Sequence, residues 1–388
     1  MNILMVHPHD LFDKSEPWTI RIKNIAKEFI KSSHQVKLCY FPLALNERCH
    51  PSVLDFIELV PLDRIPSPRT FISNTKKLIQ LCKWADIVHF QKCHHYASIP
   101  ATIAAYIAGK PLHYDWDDWE EKIWYESCGR GIHSRFIGLS FKLLERWLPV
   151  LVDSVSCASS HLKALTQAFG IKNEFIFNTP VGADLDKFRP GLDGAKIKEK
   201  YSINSDLVLY IGQLHGAQYV DLLIRASNIV LHKKPETKFM IVGEGFLESK
   251  LRALVYDLGL VDKVIFTSSV PHEEIPYYIN AASVCVAPFR HTEVTICKSP
   301  LKIVEYMACG KAIVASNVGE VKNMLGGVGI LTEPDDHHSL AQGILKLLQD
   351  DVLRDKLGRC ARKRLENKYN WRNTASSLLS AYQGICKA

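Results

Sequence analysis

Residues 284–316 read VCVAPFRHTEVTICKSPLKIVEYMACGKAIVAS. The apolar run Val284–Ala287 predicts a short strand that stops at Pro288. A polar loop with Arg290, Glu293 and Lys298 follows. Ser299-Pro300 then predicts a helix start, with Ser299 as N-cap and the proline in the first turn, and the helix runs over Leu301–Cys309. Ala312–Ala315 is a second strand. Strand, helix and strand within about thirty residues make a parallel βαβ unit.

The same alternation extends in both directions. Ahead of this unit lie strands at Leu207–Ile211, Lys238–Val242 and Val264–Thr267, with helices at Val220–His232, Leu247–Leu258 and Ile275–Ala281; a helix at Leu340–Gln349 follows. The N-terminal half repeats the theme, with strands at Asn2–His7, Gln35–Phe41, Ile87–Gln91, Pro111–Asp115 and Ser154–Ala158. Its helices are expected at Ile20–Lys31, Phe71–Lys83, Ile99–Ala108, Phe136–Leu148 and Ser160–Phe169. A turn-rich stretch, Asn178–Leu192, reads as a linker. The fold class is α/β, with two doubly wound units expected over 1–185 and 186–371, and 388 residues suit two such domains.

Composition narrows the classes. The chain is 47% hydrophobic and 23% charged, a globular balance, and no run approaches the roughly 20 apolar residues of a membrane span. The start, MNILMVHPHD, reads as a first strand rather than a signal peptide. A net charge of +7 permits anionic ligands or lipid headgroups, whereas the clustered basic stripes of a nucleic-acid binder are lacking. The 11 cysteines are scattered without CxxC spacing, which predicts a reduced, cytoplasmic chain. The tightest metal-like group, His89, Cys93, His94 and His95, has no second ligand pair and reads as ordinary loop residues, so no metal is expected.

In open parallel sheets, ligands bind outside the carboxyl ends of the strands, and with two units the natural site is the cleft between them. The stretches to inspect are His7–Trp18, Gln91–His95, Asp115–Glu121, Gly212–Gln218, Gly243–Gly245, Ser268–His272 and Pro288–Pro300. In the last, the amides and dipole of the helix start form an anion site beside Lys298 and Lys302. Glu305, about one and a half turns further on, can accept hydrogen bonds from sugar hydroxyls. A nucleotide with its ribose fits this pattern; so does a plain helix cap with a solvated Glu.

The segment also resembles the donor-binding segment of family-4 retaining glycosyltransferases (glycosyl transferases group 1), which have the GT-B fold. The resemblance includes DIVHF at Asp86–Phe90, PVGADLDKFRP at Pro180–Pro190, IVGEGFL at Ile241–Leu247, the region Val270–Tyr278 and GKAIVAS at Gly310–Ser316. It continues through Asp350–Arg364 into NWRNTASSLLSAY, and it implies that the final helix, 372–388, returns to the first unit. A dehydrogenase is disfavoured because neither half opens with GxGxxG.

Several positions depart from the family pattern. In GQLHGAQYVDLL, Gln213 and Gln218 stand where the family presents Arg and Lys to the donor diphosphate, and a neutral amide cannot neutralise that charge. Glu305 matches the second, ribose-binding Glu of the paired-glutamate motif, but Cys297 holds the first position. SEPWTIR at Ser15–Arg21 replaces a Gly-rich loop, and Asp117 replaces a common histidine.

The resemblance implies transfer with retention from a nucleotide sugar to a glycan, lipid-linked or small-molecule acceptor, without metal or other cofactor. It implies that Ser299, Leu301, Lys298, Lys302 and Arg290 hold phosphate, with Gln213 and Gln218 beside them. Glu305 holds ribose, Val270 and Ile275 flank the base, and Asp117, Glu293 and Cys297 lie near the reacting sugar. Acceptor-side candidates are Pro17, Trp18, Thr19, His94, Trp116 and Trp119, the last two as a sugar platform or as core residues. The basic, aromatic helix at Phe136–Val152 would either dock peripherally on the inner face of an anionic membrane or pack inside the first unit; the strand after it needs a covering helix, which favours packing. The loss of the usual cations keeps a second class open, a non-catalytic binding or scaffold subunit.

Overall fold

The computed structural model describes residues 1–13, 17–43, 52–129, 131–216 and 219–386. It divides into two compact units, Met1–Val181 with the segment from Trp371 onward, and Gly182–Asn370. The Val-, Ile- and Leu-rich runs become strands buried on both faces, as parallel sheets require.

In the first unit the strands are β1 (Asn2–Val6), β2 (Gln35–Tyr40), β3 (Val53–Leu54), β4 (Ile57–Pro61), β5 (Ile87–Gln91), β6 (Leu112–Trp116), β7 (Ser154–Cys157) and β8 (Ile176–Asn178). Their order is β3-β4-β2-β1-β5-β6-β7-β8, and all pairs are parallel except β3 with β4. The second unit holds β9 (Leu207–Ile211), β10 (Lys238–Val242), β11 (Val264–Phe266), β12 (Val284–Ala287), β13 (Ala312–Ser316) and β14 (Ile330–Thr332). Their order, β11-β10-β9-β12-β13-β14, is parallel throughout. Strand order reverses between β1 and β5 in one sheet and between β9 and β12 in the other. Those switch points are where crevices open at the carboxyl ends of the strands.

The helix Trp371–Cys386 packs on the helix Ile20–Lys31 of the first unit. Its Tyr382 hydroxyl meets His89 Nδ1 at 2.6 Å inside the core, and Thr374 donates to the Pro180 carbonyl at 3.0 Å.

The sequence signal is weakest at the sheet edges. Strands β3, β8 and β14 are only two or three residues long, and β4 breaks its apolar run at Glu58 and ends in a proline, so none shows a clear apolar run. The acidic stretch after β6 folds into a helix, Glu120–Cys128, rather than a loop. Its first-turn amides are capped from a distance, because the Glu145 carboxylate accepts from Glu120 N at 2.7 Å and Glu121 N at 3.2 Å. The helix expected over Phe136–Leu148 runs over Ile132–Leu151.

Candidate functional site

The second unit gathers its polar groups at the β9/β12 switch point. Gly212 leaves β9 with φ 149° and Gly243 leaves β10 with φ 138°, a region L-side chains avoid. A Cβ on Gly243 would lie 2.1 Å from the Gly212 carbonyl oxygen, and one on Gly212 would lie 2.5 Å from Lys302 Nζ. These glycines let the two strand ends close against each other and against the helix Leu301–Ala308. Lys302 lays its ammonium 4.0 Å from the Tyr210 ring centroid and donates to the Tyr210 hydroxyl at 2.9 Å. Burial and then the neighbouring Lys298 hold the Lys302 pKa well below the ordinary lysine value. His215 is pushed down to about 4 by burial, then by Lys298 and Lys302. Lys298 therefore opposes both His215 and Lys302 beside a helix start whose N-cap, Pro300, makes no side-chain cap bond. Such a place is stabilised by an arriving anion.

Next to it, Glu305 is 5% exposed and accepts from His272 Nε2 at 2.7 Å. His272 Nδ1 then faces Lys187 Nζ at 3.1 Å, which assigns the Nε2–H tautomer to this ring. Lys187 comes from the turn-rich stretch after β8, so that stretch supports the position of Glu305 through one histidine.

The first unit assembles a different cluster at the β1/β5 switch point. Gln91, at the end of β5, accepts from His7 Nδ1 at 2.8 Å and donates to Asp117 Oδ2 at 2.6 Å. Lys92, 3% exposed and at φ 65°, reaches Glu120 at 2.5 Å, Asp117 at 3.3 Å and Asp118 at 3.5 Å. The three carboxylates overcome burial and raise the Lys92 pKa well above its ordinary value. Asp117 is pushed up to about 7, because burial, Asp118 and Asp115 together outweigh Lys92. Asp117, Asp118 and Glu120 offer oxygens within 4.8 Å of one another, and the Lys92 ammonium lies against all three. His9 packs between Trp18 at 5.0 Å and His94 at 4.9 Å; burial and the charges of His94 and Lys92 keep its ring neutral. Trp18 is 45% exposed at the rim. Beneath this cluster, Arg21 grips Asp115 with two bonds of 2.7 Å and donates to the Thr179 carbonyl at 2.9 Å.

Residues 205–350 match the family model described as glycosyl transferases group 1. That segment makes up most of the second unit and is similar to the group 1 glycosyl transferases. It is 28% identical over 239 residues to the GDP-mannose-dependent alpha-(1-6)-phosphatidylinositol monomannoside mannosyltransferase of Mycolicibacterium smegmatis, covering 60% of this chain and 62% of that protein. It is 30% identical over 234 residues to the D-inositol 3-phosphate glycosyltransferase of Acidothermus cellulolyticus, covering 57% of this chain and 50% of that protein. The chain thus spans less than two thirds of the length of these curated relatives. Among solved structures, Anabaena HepE in complex with UDP and glucose superposes with a TM-score of 0.74 at 19% identity, covering 100% of this chain and 98% of that one. That likeness establishes the GT-B fold.

Within the two units the expected site residues divide. Lys298, Lys302, Leu301 and Glu305 gather in the second unit, with Gln213 beside them through a 3.1 Å bond to His215. Gln218 lies outside the described residues. Ile275 is buried as the first residue of the helix Ile275–Ala281, and Val270 is half-buried in the turn before it.

Several expectations are corrected. Ser299 is not the helix cap: Pro300 holds that position and makes no side-chain cap bond. Arg290 is bound to Asp221 at 2.6 Å and Asp335 at 3.5 Å, so its charge is already matched within the unit. Cys297 is 1% exposed, because the short helix Glu293–Cys297 turns Val294, Thr295 and Cys297 inward; Glu293 faces solvent. Trp116 is no sugar platform: it is 1% exposed, stacked between Tyr114 and Phe169, with Nε1 donating to Glu145 at 3.3 Å. Trp119 is half-buried against His161. Thr19 is buried, and Pro17 opens the single turn Pro17–Thr19. The supposed metal-like group is split, with His89 on Tyr382, Cys93 in the core, His94 on Phe141 and His95 exposed.

The sequence reading did not single out His7, His9, Gln91, Lys92, His215, His272 or Lys187. Their one signal was a place directly after a strand or linker, and isolated residues there are cheap to find by chance.

Proposed function

We propose that this chain transfers a sugar, with retention of configuration, from a nucleoside-diphosphate donor to a glycan, lipid-linked or small-molecule acceptor. The observation that carries the reading is the convergence of His215, Lys298 and Lys302 at the start of the helix Leu301–Ala308, where burial and Lys298 lower the pKa of both His215 and Lys302. An arriving diphosphate favours the charged forms of these groups, which stand in for the Arg and Lys positions held here by Gln213 and Gln218. As the bond to the sugar breaks, charge grows on the leaving phosphate, and fixed cations and amides stabilise it more than they do the bound substrate. Glu305, steadied by His272, accepts from the ribose hydroxyls. No metal takes part in this reading.

On the acceptor side, Trp18 offers an aromatic face, and the Asp117 carboxylate accepts the proton that the attacking hydroxyl loses as its oxygen bonds to the sugar. That the relatives include a protein acting on a phosphatidylinositol mannoside favours a lipid-linked acceptor. The free thiols among the described residues favour a reducing, cytoplasmic location.

A thermal-shift and calorimetry panel of UDP, GDP, ADP and dTDP tests the donor half. Binding of one base class, followed by anomer-resolved NMR of the product formed from the matching nucleotide sugar, is the expected result. Absence of binding by every nucleotide overturns the donor site. Tight binding without turnover on any acceptor would instead identify a non-catalytic binding subunit.

A further inference from the structure

The helix Ile132–Leu151 uses only half of its circumference to pack. Ser134, Gly138, Phe141, Glu145, Leu148 and Pro149 form its buried stripe. At about 100° per residue, Ile132, Phe136, Leu139, Leu143, Trp147 and Val150 fall within about 80° of one another on the opposite side. These are all exposed, Phe136 by 69% and Trp147 by 58%. An aromatic and aliphatic stripe of four to five turns facing water is costly unless something covers it.

The charges flanking the stripe indicate what does. Arg135, Lys142 and Arg146 are all exposed and lie within about 40° of one another along one flank. The one acid in the helix, Glu145, is 2% exposed and occupied with the amides of Glu120 and Glu121. The outward face therefore carries only positive charge beside a continuous apolar ridge. A second apolar contribution comes from the helix His95–Ile107, which packs on this one and ends with Tyr106 and Ile107 exposed by 89% and 61%. Both helices end at the same edge of the sheet, because they lead into the paired strands β6 and β7. Among the described residues no helix is long and apolar enough to cross a membrane.

We infer that the outer face of Ile132–Leu151 lies in the headgroup layer of an anionic lipid surface, with Phe136, Leu143 and Trp147 reaching the acyl boundary and Arg135, Lys142 and Arg146 pairing with lipid phosphates. Ridge plus basic flank is the pattern of a helix that lies on a bilayer rather than spanning it. The inner face of the same helix holds the start of Glu120–Cys128 through Glu145, so docking fixes the bilayer relative to the Asp117 cluster. The inference stands on this surface alone and needs no sugar transfer.

Co-sedimentation of the full chain with phosphatidylcholine vesicles, and with vesicles also containing phosphatidylglycerol, tests it without any donor present. Binding should be at least about tenfold stronger to the anionic vesicles. It should fall at least about fivefold in Phe136→Ser/Trp147→Ser, and again in Arg135→Gln/Lys142→Gln/Arg146→Gln, with melting temperatures unchanged. In case the serine variants misfold, brominated acyl chains should quench the fluorescence of the unaltered chain, and Trp147→Phe should remove most of that quenching. No vesicle binding, equal binding to both vesicle types, or quenching untouched by Trp147→Phe each overturns the inference. So does a concentration-dependent dimer, without vesicle binding, that the serine variants dissociate, since a second copy then covers the face.

Discussion

Replacing Lys302 by methionine should move ligand binding and folding stability in opposite directions. The side chain keeps its length and its contact with the Tyr210 ring but loses the charge. In the ligand-free unit that charge is unfavourable, because burial and Lys298 push its pKa down. A lysine with a depressed folded pKa costs stability at neutral pH, so Lys302→Met should leave the melting temperature equal or higher. With a diphosphate bound, the same ammonium makes a charge-assisted hydrogen bond worth about 1.5–3 kcal/mol. Its loss should weaken UDP or GDP, whichever binds, by roughly ten- to a hundredfold. Isothermal calorimetry at fixed ionic strength, paired with thermal unfolding, reads both quantities. An affinity within about twofold of the parent chain, with the fold intact, would refute the assignment of Lys302 to the phosphate site. A lower melting temperature would refute the argument that its charge is strained in the free unit.

Four further outcomes follow from the same geometry. Donor binding should take up protons near pH 6, since an anion raises the His215 pKa from about 4; affinity then falls as pH rises, and calorimetry in buffers of different ionisation enthalpy detects it. Asp117, raised to about 7, contributes stability that is full below its unfolded pKa of about 3.9 and is lost as pH rises through 7; Asp117→Asn should flatten that loss between pH 5 and 8 in urea titrations, and unchanged turnover would remove it from the reaction. Asp115→Asn should destabilise the first unit by about 3–5 kcal/mol by stranding the buried Arg21 guanidinium, whereas the double replacement Arg21→Met/Asp115→Leu should recover most of it in denaturant unfolding. Gly243→Ala should lower the melting temperature sharply and abolish nucleotide binding, because its Cβ has only 2.1 Å to the Gly212 oxygen; a fully stable, nucleotide-binding variant would show that the strand ends relax freely.

Much of the architecture was legible in the sequence because parallel strands buried on both faces must be continuous apolar runs. Val284–Ala287, Leu207–Ile211, Lys238–Val242 and Ile87–Gln91 form over the residues their runs predict. Edge strands such as β3 and β14 lack that constraint and were invisible. The helix Glu120–Cys128 was missed for a related reason: its cap is Glu145, on another helix, and no local signal marks it. Trp116 shows the converse, since an aromatic flanked by carboxylates reads equally well as platform or core until Tyr114, Phe169 and Glu145 close around it.

By itself the sequence determined the α/β class, the two-part organisation and the carboxyl-end stretches where chemistry collects, because periodicity and strand burial are local properties. Tertiary structure alone decided which charges are spoken for. Arg290 is neutralised by Asp221 and Asp335, distant along the chain, while His215, from the loop after β9, is brought to Lys298 and Lys302, and Lys298 lowers the proton affinity of both His215 and Lys302. A residue's type gives its charge, but only the folded neighbourhood sets whether that charge is matched by acids or opposed by burial and by another base.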